Sequence, residues 1–152
     1  MNCIRLLTGA LLALLILGCA SVQLASHSQD IEAKKFISVP DKSVVYVIQT
    51  GGLGSYRIFL HIWLNGENVA TLSGNTYSRL VVDPGKYRLV ATSPENRESV
   101  DFTINAGEML FLGAGSKPGF AQMRVRPIRK LSLQEGREAV IKRKLAESIA
   151  PL

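Results

Sequence analysis

The residue with the most definite chemistry in this sequence is Cys19, whose thiol closely follows an apolar stretch. That stretch spans residues 6–17, and Arg5 supplies a positive charge ahead of it. A charged start, a short apolar run and a small residue before the cleavage point are typical of a secretory signal peptide. A helix that remains in the bilayer needs about 20 apolar residues. We therefore expect residues 1–18 to be removed, so that Cys19 becomes the first residue of the mature chain.

The signal sequence ends in a tetrapeptide that resembles the lipobox of bacterial lipoproteins: Ile16, Leu17, Gly18 and Cys19. The resemblance implies a diacylated sulfur on Cys19, cleavage before it by a lipoprotein signal peptidase, and acylation of the new amino group, with palmitate as a typical fatty acid. The second mature residue, Ala20, is not Asp, and the sorting rule of enteric-type bacteria then implies the outer membrane, with the domain facing the periplasm. The alternative interpretation is an ordinary buried cysteine.

The remaining reactive side chains do not indicate a catalytic or metal site. Cys3 leaves with the signal peptide, so the mature chain has no disulfide and no cysteine-based metal site. Its two histidines, His27 and His61, lie in different segments, and no Gly-x-Ser-x-Gly motif occurs. We expect no catalytic residue, no metal and no cofactor other than the covalent lipid on Cys19.

Carboxylates leave one enzymatic alternative open. Glu95, Glu98 and Asp101 lie close together in the sequence. Two carboxylates that flank a cleft can hydrolyse a glycosidic bond. Because the short turns of a compact β domain offer little cleft, we expect a protein that is not an enzyme.

An aromatic stripe is the first candidate binding surface. Phe59, His61 and Trp63 alternate with aliphatic residues, so they share one face of a strand. Exposed, such a stripe can stack on sugar rings or receive an apolar anchor. If the stripe is buried, it forms a second core face, in a two-layer sandwich or beneath a C-terminal helix. We expect the buried arrangement, because that helix needs a face on which to dock.

Positive charge marks the second candidate surface. Residues 117–152 carry nine Lys or Arg and three Glu, whereas residues 19–116 have a net charge of −1. Export argues against nucleic acid, so a contact surface there would take an anionic lipid, the phosphates of lipopolysaccharide or an acidic envelope protein. A basic face that only keeps the protein soluble is the interpretation that we favour. The candidate contact residues are Arg124, Arg126, Lys142, Arg143 and Lys144.

These candidate residues must be positioned by strands. Alternating apolar residues predict strands in residues 43–50, 56–64, 67–72, 76–82, 87–92, 100–104, 109–112 and 120–128, with a turn at 105–108. Asn65-Gly66 predicts a type I′ turn, and Asp83-Pro84-Gly85-Lys86 predicts a second turn. The glycine-rich residues 50–55 lack the Gly-Lys-Ser/Thr of a phosphate loop, so we expect no nucleotide site there.

The spacing changes towards the end of the chain. Ser132 and Glu135 form a capping box, and Val140, Ile141, Leu145 and Ile149 recur at helical intervals. We therefore predict a mainly β fold: a single antiparallel β-sandwich of about seven strands with a C-terminal amphipathic α-helix. Its parts are a signal peptide at 1–18, a flexible tether of roughly 20–25 Å at 19–35, a sandwich at 36–130 and a helix at 131–152.

Several short motifs together resemble an uncharacterised domain family of bacterial lipoproteins, related to PEGA-type β-sandwich modules. They are Ala33-Lys34-Lys35-Phe36, the strand around Tyr46, Asn65-Gly66, Tyr77, Asp83-Pro84-Gly85-Lys86-Tyr87 and Ala106-Gly107. The resemblance covers residues 33–145 and implies a sandwich in which the Pro-Gly positions are structural. It implies no enzymatic activity.

Two functions follow as hypotheses. The first is a membrane-anchored lipoprotein whose non-catalytic module binds a cell-envelope component or a protein partner. The second is a small accessory enzyme or carbohydrate-binding domain that acts on cell-wall sugars. A concave pocket beside Trp63, His61 or the turn at residues 95–101 is the observation on which the second hypothesis depends.

Overall fold

The computed structural model describes residues 22–51 and 58–149. The predicted signal peptide and the lipid site at Cys19 lie outside these ranges, as does most of the glycine-rich segment at 50–55. Within the described part of the chain, no helix is both long enough and apolar enough to cross a membrane.

Within the same ranges the chain forms two helices and ten strands. In chain order they are α1 (His27–Ala33), β1 (Ser43–Thr50), β2 (Leu60–Leu64), β3 (Glu67–Leu72), β4 (Thr76–Val82), β5 (Gly85–Thr92), β6 (Arg97–Ile104), β7 (Met109–Pro118), β8 (Met123–Val125), β9 (Arg129–Leu131), α2 (Leu133–Ile141) and β10 (Lys144–Leu145). The prediction of a mainly β fold is confirmed.

The strands form two sheets. One has six strands in the order β10-β4-β1-β7-β8, with β9 also paired to β7, and the other has four in the order β3-β2-β5-β6. The predicted antiparallel arrangement of about seven strands is wrong in detail, because β1 and β7 pair in parallel. We call the first the mixed sheet and the second the antiparallel sheet. A parallel pair needs a long crossover. Here the crossover from β1 to β7 contains strands β2 to β6, which are the whole antiparallel sheet together with β4.

Strand β1 lies at the centre and is buried on both faces. Val45 and Val47 point into a core shared with the antiparallel sheet. Tyr46 and Ile48 point the opposite way, into a second core that includes residues of both helices. Alternation along a strand sends neighbouring side chains to opposite faces, so two apolar sets on β1 serve two separate layers.

The second core is built from stacked aromatic rings beneath the helices. The rings of Tyr46 and Phe111 stack with centroids 4.9 Å apart, and Phe36 lies 6.1 Å from Phe111. Gly136 of α2 is buried against the Phe111 ring. Helix α2 therefore docks on the mixed sheet, and the prediction that it covers Phe59, His61 and Trp63 is wrong.

The predicted tether contains helix α1 in its described part, so its flexibility is a wrong prediction. Ser26 caps the helix in a capping box with Gln29, a signal that the polar composition of the segment obscured. Ala33 is buried, and Asp30 accepts hydrogen bonds from Tyr77 Oη and the Leu145 backbone, each at 2.9 Å. These contacts fix the segment to the domain.

Helix α2 ends at Ile141, although the prediction extends it to residue 152, and residues 144–149 form an extended segment that we call the strap. Its start pairs with β4, and Ile149 N–H donates to the Val69 carbonyl of β3 at 3.1 Å. The strap thus connects the two sheets. It also holds the N-terminal segment, since Glu147 N–H donates to the Gln23 carbonyl at 2.9 Å.

The Asn65-Gly66 turn gives a first testable prediction. Gly66 has φ +92°, where a side chain is strained, whereas Gly85 is a regular strand residue whose added Cβ would make an ordinary 3.7 Å contact with Tyr87. Gly66→Ala should therefore lower the free energy of unfolding by about 1–2 kcal/mol. Gly85→Ala should change it by less than about 1 kcal/mol. Urea unfolding measures both, and equal losses would contradict the assignment of the strained position.

Candidate functional site

The aromatic stripe lies on the outer face of the antiparallel sheet. Leu60, Ile62 and Leu64 of β2 point into the core between the sheets. His61 and Trp63 point the other way, His61 exposed and Trp63 half-buried. Neither helix packs on this face, so the stripe is available to a ligand rather than part of the core.

Two adjoining clefts flank the stripe and share Thr92, Ser93 and Pro94. The first, of about 530 Å³, lies beside Trp63 and reaches Arg97. The second, of about 590 Å³, is lined by Phe59, His61, Gln122 and Met123 among others. We call the pair the aromatic cleft. It supplies the concave surface on which the sugar-directed hypothesis depends.

Hydrogen bonds orient the aromatic rings of the cleft. Trp63 Nε1 donates to Thr92 Oγ1 at 3.4 Å, and Thr92 Oγ1 donates to the His61 carbonyl at the same distance. His61 Nδ1 and Thr71 Oγ1 are 3.0 Å apart. The indole edge is bonded within the sheet, which leaves the ring as an apolar wall. Such a wall beside a cationic side chain suits stacking and orientation of a ligand.

The predicted carboxylates are engaged in structural hydrogen bonds. Glu95 accepts the backbone N–H groups of Gln122, Ala121 and Phe120, the last two at 2.6 and 3.1 Å, and the bonds from Gln122 and Ala121 hold the pKa of Glu95 below its ordinary value. Asp101 accepts two hydrogen bonds from Arg88, at 2.7 and 2.8 Å, which lower the pKa of Asp101. Glu95 therefore fixes a loop.

Glu98 lies beside a second clamp in the same region. Its Oε1 accepts from Asn96 Nδ2 at 3.3 Å. Asn96 also donates to the Val125 carbonyl at 3.0 Å and accepts from Val125 N–H at 2.7 Å. The turn between β5 and β6 is thereby fastened to β8. None of the three predicted carboxylates faces a second carboxylate across the aromatic cleft among its described lining residues.

The predicted basic residues fall into two groups. Arg124 of β8 and Arg126, directly after it, are exposed, and so are Lys142 and Lys144 around the end of α2. Arg143 has a structural role instead: its Nε donates to the Gln49 carbonyl at 2.9 Å and its Nη1 to the Ala139 carbonyl at 2.7 Å. It caps the helix and fastens it to β1.

Strand register brings the exposed pair Arg124 and Arg126 and the exposed pair Lys142 and Lys144 to the same end of the mixed sheet. Lys144 pairs with Thr76, the first residue of β4. Arg126 N–H donates to the Gly115 carbonyl at 2.8 Å, and Gly115 pairs with Thr50, the last residue of β1. Since β1 and β4 are antiparallel, the end of one meets the start of the other. The sequence did not indicate this meeting.

Sequence reasoning missed one exposed residue at this end. Phe120 projects fully into solvent from the turn between β7 and β8. A phenylalanine beside Gly119, in a turn that follows Lys117 and Pro118, was the available signal.

Comparison with protein-family models, curated proteins and solved structures finds no match to this chain. In residues 22–51 and 58–149, no three His, Cys, Asp or Glu side chains are grouped as a metal site would require. The function must therefore be inferred from the cleft and the charged residues themselves.

Proposed function

We propose that this chain is a membrane-anchored bacterial lipoprotein whose non-catalytic β-sandwich module binds a cell-envelope component or a protein partner. The anchor is the lipid on Cys19, and the proposed location is the outer membrane with the domain facing the periplasm. The resemblance to PEGA-type modules belongs to this proposal as well.

One observation carries the binding role: the outer face of the antiparallel sheet is left uncovered by the helices and holds the aromatic cleft. A soluble domain ordinarily covers such aromatic side chains or uses them in an interface. The hydrogen bonds that occupy Glu95 and Asp101 support binding rather than hydrolysis, because a general acid or nucleophile must be able to approach its substrate.

A carbohydrate-binding role is the second candidate, and Trp63 favours it. An indole wall beside an open cleft suits the apolar face of a sugar ring, and Arg97 at the rim can bond hydroxyl or carboxylate groups. Cell-wall sugars are the class that an envelope lipoprotein would meet.

The binding proposal is tested on the aromatic cleft. In a Cys19→Ser background, which removes the lipid, Trp63→Ala should weaken binding to isolated cell-envelope material roughly 30-fold, since a buried aromatic anchor of an interface contributes about 2 kcal/mol or more. Trp63→Phe should retain most of the binding. Ile37→Ala is a matched control, because Ile37 is an exposed apolar residue away from the cleft. Equal binding by Trp63→Ala and the control would remove the cleft as the binding site.

The anchor is tested separately by labelling with a palmitate analogue. The wild-type protein should incorporate label, and Cys19→Ala should incorporate none. An unlabelled wild type would contradict the lipoprotein assignment, whatever the cleft binds. Labelled protein in the outer-membrane fraction would support the proposed location.

A further inference from the structure

We propose that one end of this domain rests directly on an anionic lipid bilayer, with Phe120 inserted between the headgroups. This end comprises the β7–β8 hairpin tip, residues 117–126, together with Val22 and Phe59, and we call it the hairpin end. The proposal rests on the lipid anchor at Cys19 and adds an orientation to it.

The proposed lipid on Cys19 is only a short distance from the folded domain. Val22 follows Cys19 by three residues, a separation of at most about 11 Å even when fully extended. Val22 packs against the core between the sheets. Just beyond it, Ala25 N–H donates to the Leu145 carbonyl at 3.0 Å, which fastens the segment to the strap. The lipid is thus attached to a fixed point on the domain rather than to a long tether.

Val22 lies at the same end of the domain as the hairpin tip. Val22 and Phe59 line one cleft, together with Thr71. Phe59 also lines the neighbouring cleft with Gln122 and Met123, which lie at the tip of the hairpin. The anchored segment and the hairpin tip therefore share one end of the domain, and a lipid attached three residues before Val22 brings this end towards the bilayer.

Phe120 supplies an apolar group at the correct place. Its side chain is completely exposed, whereas its backbone is held by Glu95, which accepts three successive N–H groups of the turn. An exposed ring on a backbone that is already ordered loses little conformational entropy when it enters the interface. Phe, Trp and Leu are the side chains that surface-bound proteins typically bury at the boundary between headgroups and acyl chains.

Cations lie on both strands of the hairpin that carries Phe120. Lys117 and Arg124 pair directly across the hairpin, and Arg126, directly after β8, is exposed although its Nε donates to the Ser116 carbonyl at 2.8 Å. Like charges directly opposite each other destabilise a strand pair. The carboxylate of Glu95 lies 4.0 Å from Arg124 and also accepts hydrogen bonds from the backbone of the turn. It therefore offsets the repulsion between Lys117 and Arg124 only in part. A negatively charged bilayer surface would compensate it fully.

The orientation is tested with Trp63→Phe/Phe120→Trp, which moves the single tryptophan of the chain to the hairpin tip. The full lipidated protein is reconstituted on vesicles of phosphatidylethanolamine and phosphatidylglycerol (3:1) that contain brominated acyl chains. Tryptophan emission at position 120 should shift to the blue and be quenched at least twofold. The matched control, Trp63→Phe/Leu133→Trp, places the ring at an exposed site on α2 and should be unaffected.

The outcomes separate the orientation from the anchor, because palmitate labelling is read on the same preparation. Labelled, vesicle-bound protein with an unquenched tryptophan at position 120 would overturn the orientation and leave the lipoprotein assignment intact. Unlabelled protein would overturn the assignment. Equal quenching at positions 120 and 133 would also overturn the orientation.

A charge variant tests the electrostatic part. Lys117→Gln/Arg124→Gln/Arg126→Gln, combined with Cys19→Ser to remove the lipid, should bind the same anionic vesicles roughly 100-fold more weakly than Cys19→Ser alone, since each cation near the surface contributes about a factor of five. Raising the salt should release Cys19→Ser from these vesicles. Equal binding of Cys19→Ser to vesicles of phosphatidylcholine alone would overturn the role of charge.

Discussion

Asp30→Ala should lower the free energy of unfolding by about 3 kcal/mol, although this residue lies in a segment whose sequence resembles a linker. Its carboxylate accepts hydrogen bonds from Lys34 at 2.7 Å and from Tyr77 and the Leu145 backbone at 2.9 Å. The Asp30 and Lys34 side chains retain only 16% and 24% of their exposure. Removing a buried acceptor leaves its donors unsatisfied, which costs far more than loss of an exposed pair.

Asp101→Ala is the matched control for this prediction. Asp101 also binds one basic side chain, Arg88, through two hydrogen bonds, but both side chains are more than 60% exposed. An exposed ion pair contributes about 0–1 kcal/mol. Urea unfolding of both variants compares buried and exposed aspartates directly. Equal losses would contradict a special role for the Asp30 contacts.

The pH dependence of this effect has a definite sign. Burial acts to raise the pKa of Asp30, but hydrogen bonds from Lys34, Tyr77 and Leu145 outweigh it and hold the pKa below its ordinary value. A carboxyl group whose pKa is lowered by folding stabilises the fold above its unfolded pKa, about 3.9, and loses that contribution as the pH falls through the folded pKa. The difference between wild type and Asp30→Ala should therefore be constant from pH 5 to 8 and shrink below about pH 4.

Gly136→Val should also lower the free energy of unfolding by about 3 kcal/mol, although valine has a higher helix propensity than glycine. A Cβ atom at Gly136 would lie 2.5 Å from Cβ of Phe111 and closer still to its ring. Phe111 cannot move aside without breaking its stack on Tyr46. Extra atoms in such a packed core typically cost 1–3 kcal/mol, and the helix would have to lift away from the mixed sheet.

A control and a double variant sharpen this prediction. Glu138→Val places the same residue on the exposed side of α2 and should cost less than about 1 kcal/mol. In Gly136→Val/Phe111→Ala the cavity left by the ring accepts the new side chain. The loss should therefore be smaller than the sum of the two single losses. Simple additivity would show that the two residues do not compete for the same space.

Local patterns predicted most of the strands. Strict alternation in residues 43–50 and 76–82 reproduces β1 and β4 residue for residue. The capping box of Ser132 and Glu135 correctly predicted the start of α2. In these segments the signal depends only on neighbouring residues, so no knowledge of the remaining chain was needed.

Features decided by distant contacts were not predictable in this way. Leu145 and Ile149 fit the spacing of a helix, yet both belong to the strap, because the free sides of β4 and β3 offer backbone partners there. The docking face of α2 was assigned to the wrong sheet for a similar reason. Both sheets present aromatic residues, and only the close approach at Gly136 shows which face receives the helix.

The candidate site was predicted in part. Phe59, His61 and Trp63 do share one face, as alternation requires, but their exposure depends on the location of α2. Of the five predicted cations, Arg143 has a structural role, because its guanidinium binds two backbone carbonyls. Phe120 was missed, since a single apolar residue in a turn carries no periodic signal.

The strap also affects the order in which contacts form during folding. Its contacts close very long loops, since the hydrogen bond from Leu145 N–H to Asp30 spans 115 residues. Such contacts carry a large loop-closure entropy, so they are expected to form late in folding and to open early in local unfolding. When the strap opens, the edges of β4 and β3 become accessible together, and unpaired edges are templates for association with other chains. Closure of a short segment thus protects two sheet edges of the folded domain against association with other chains.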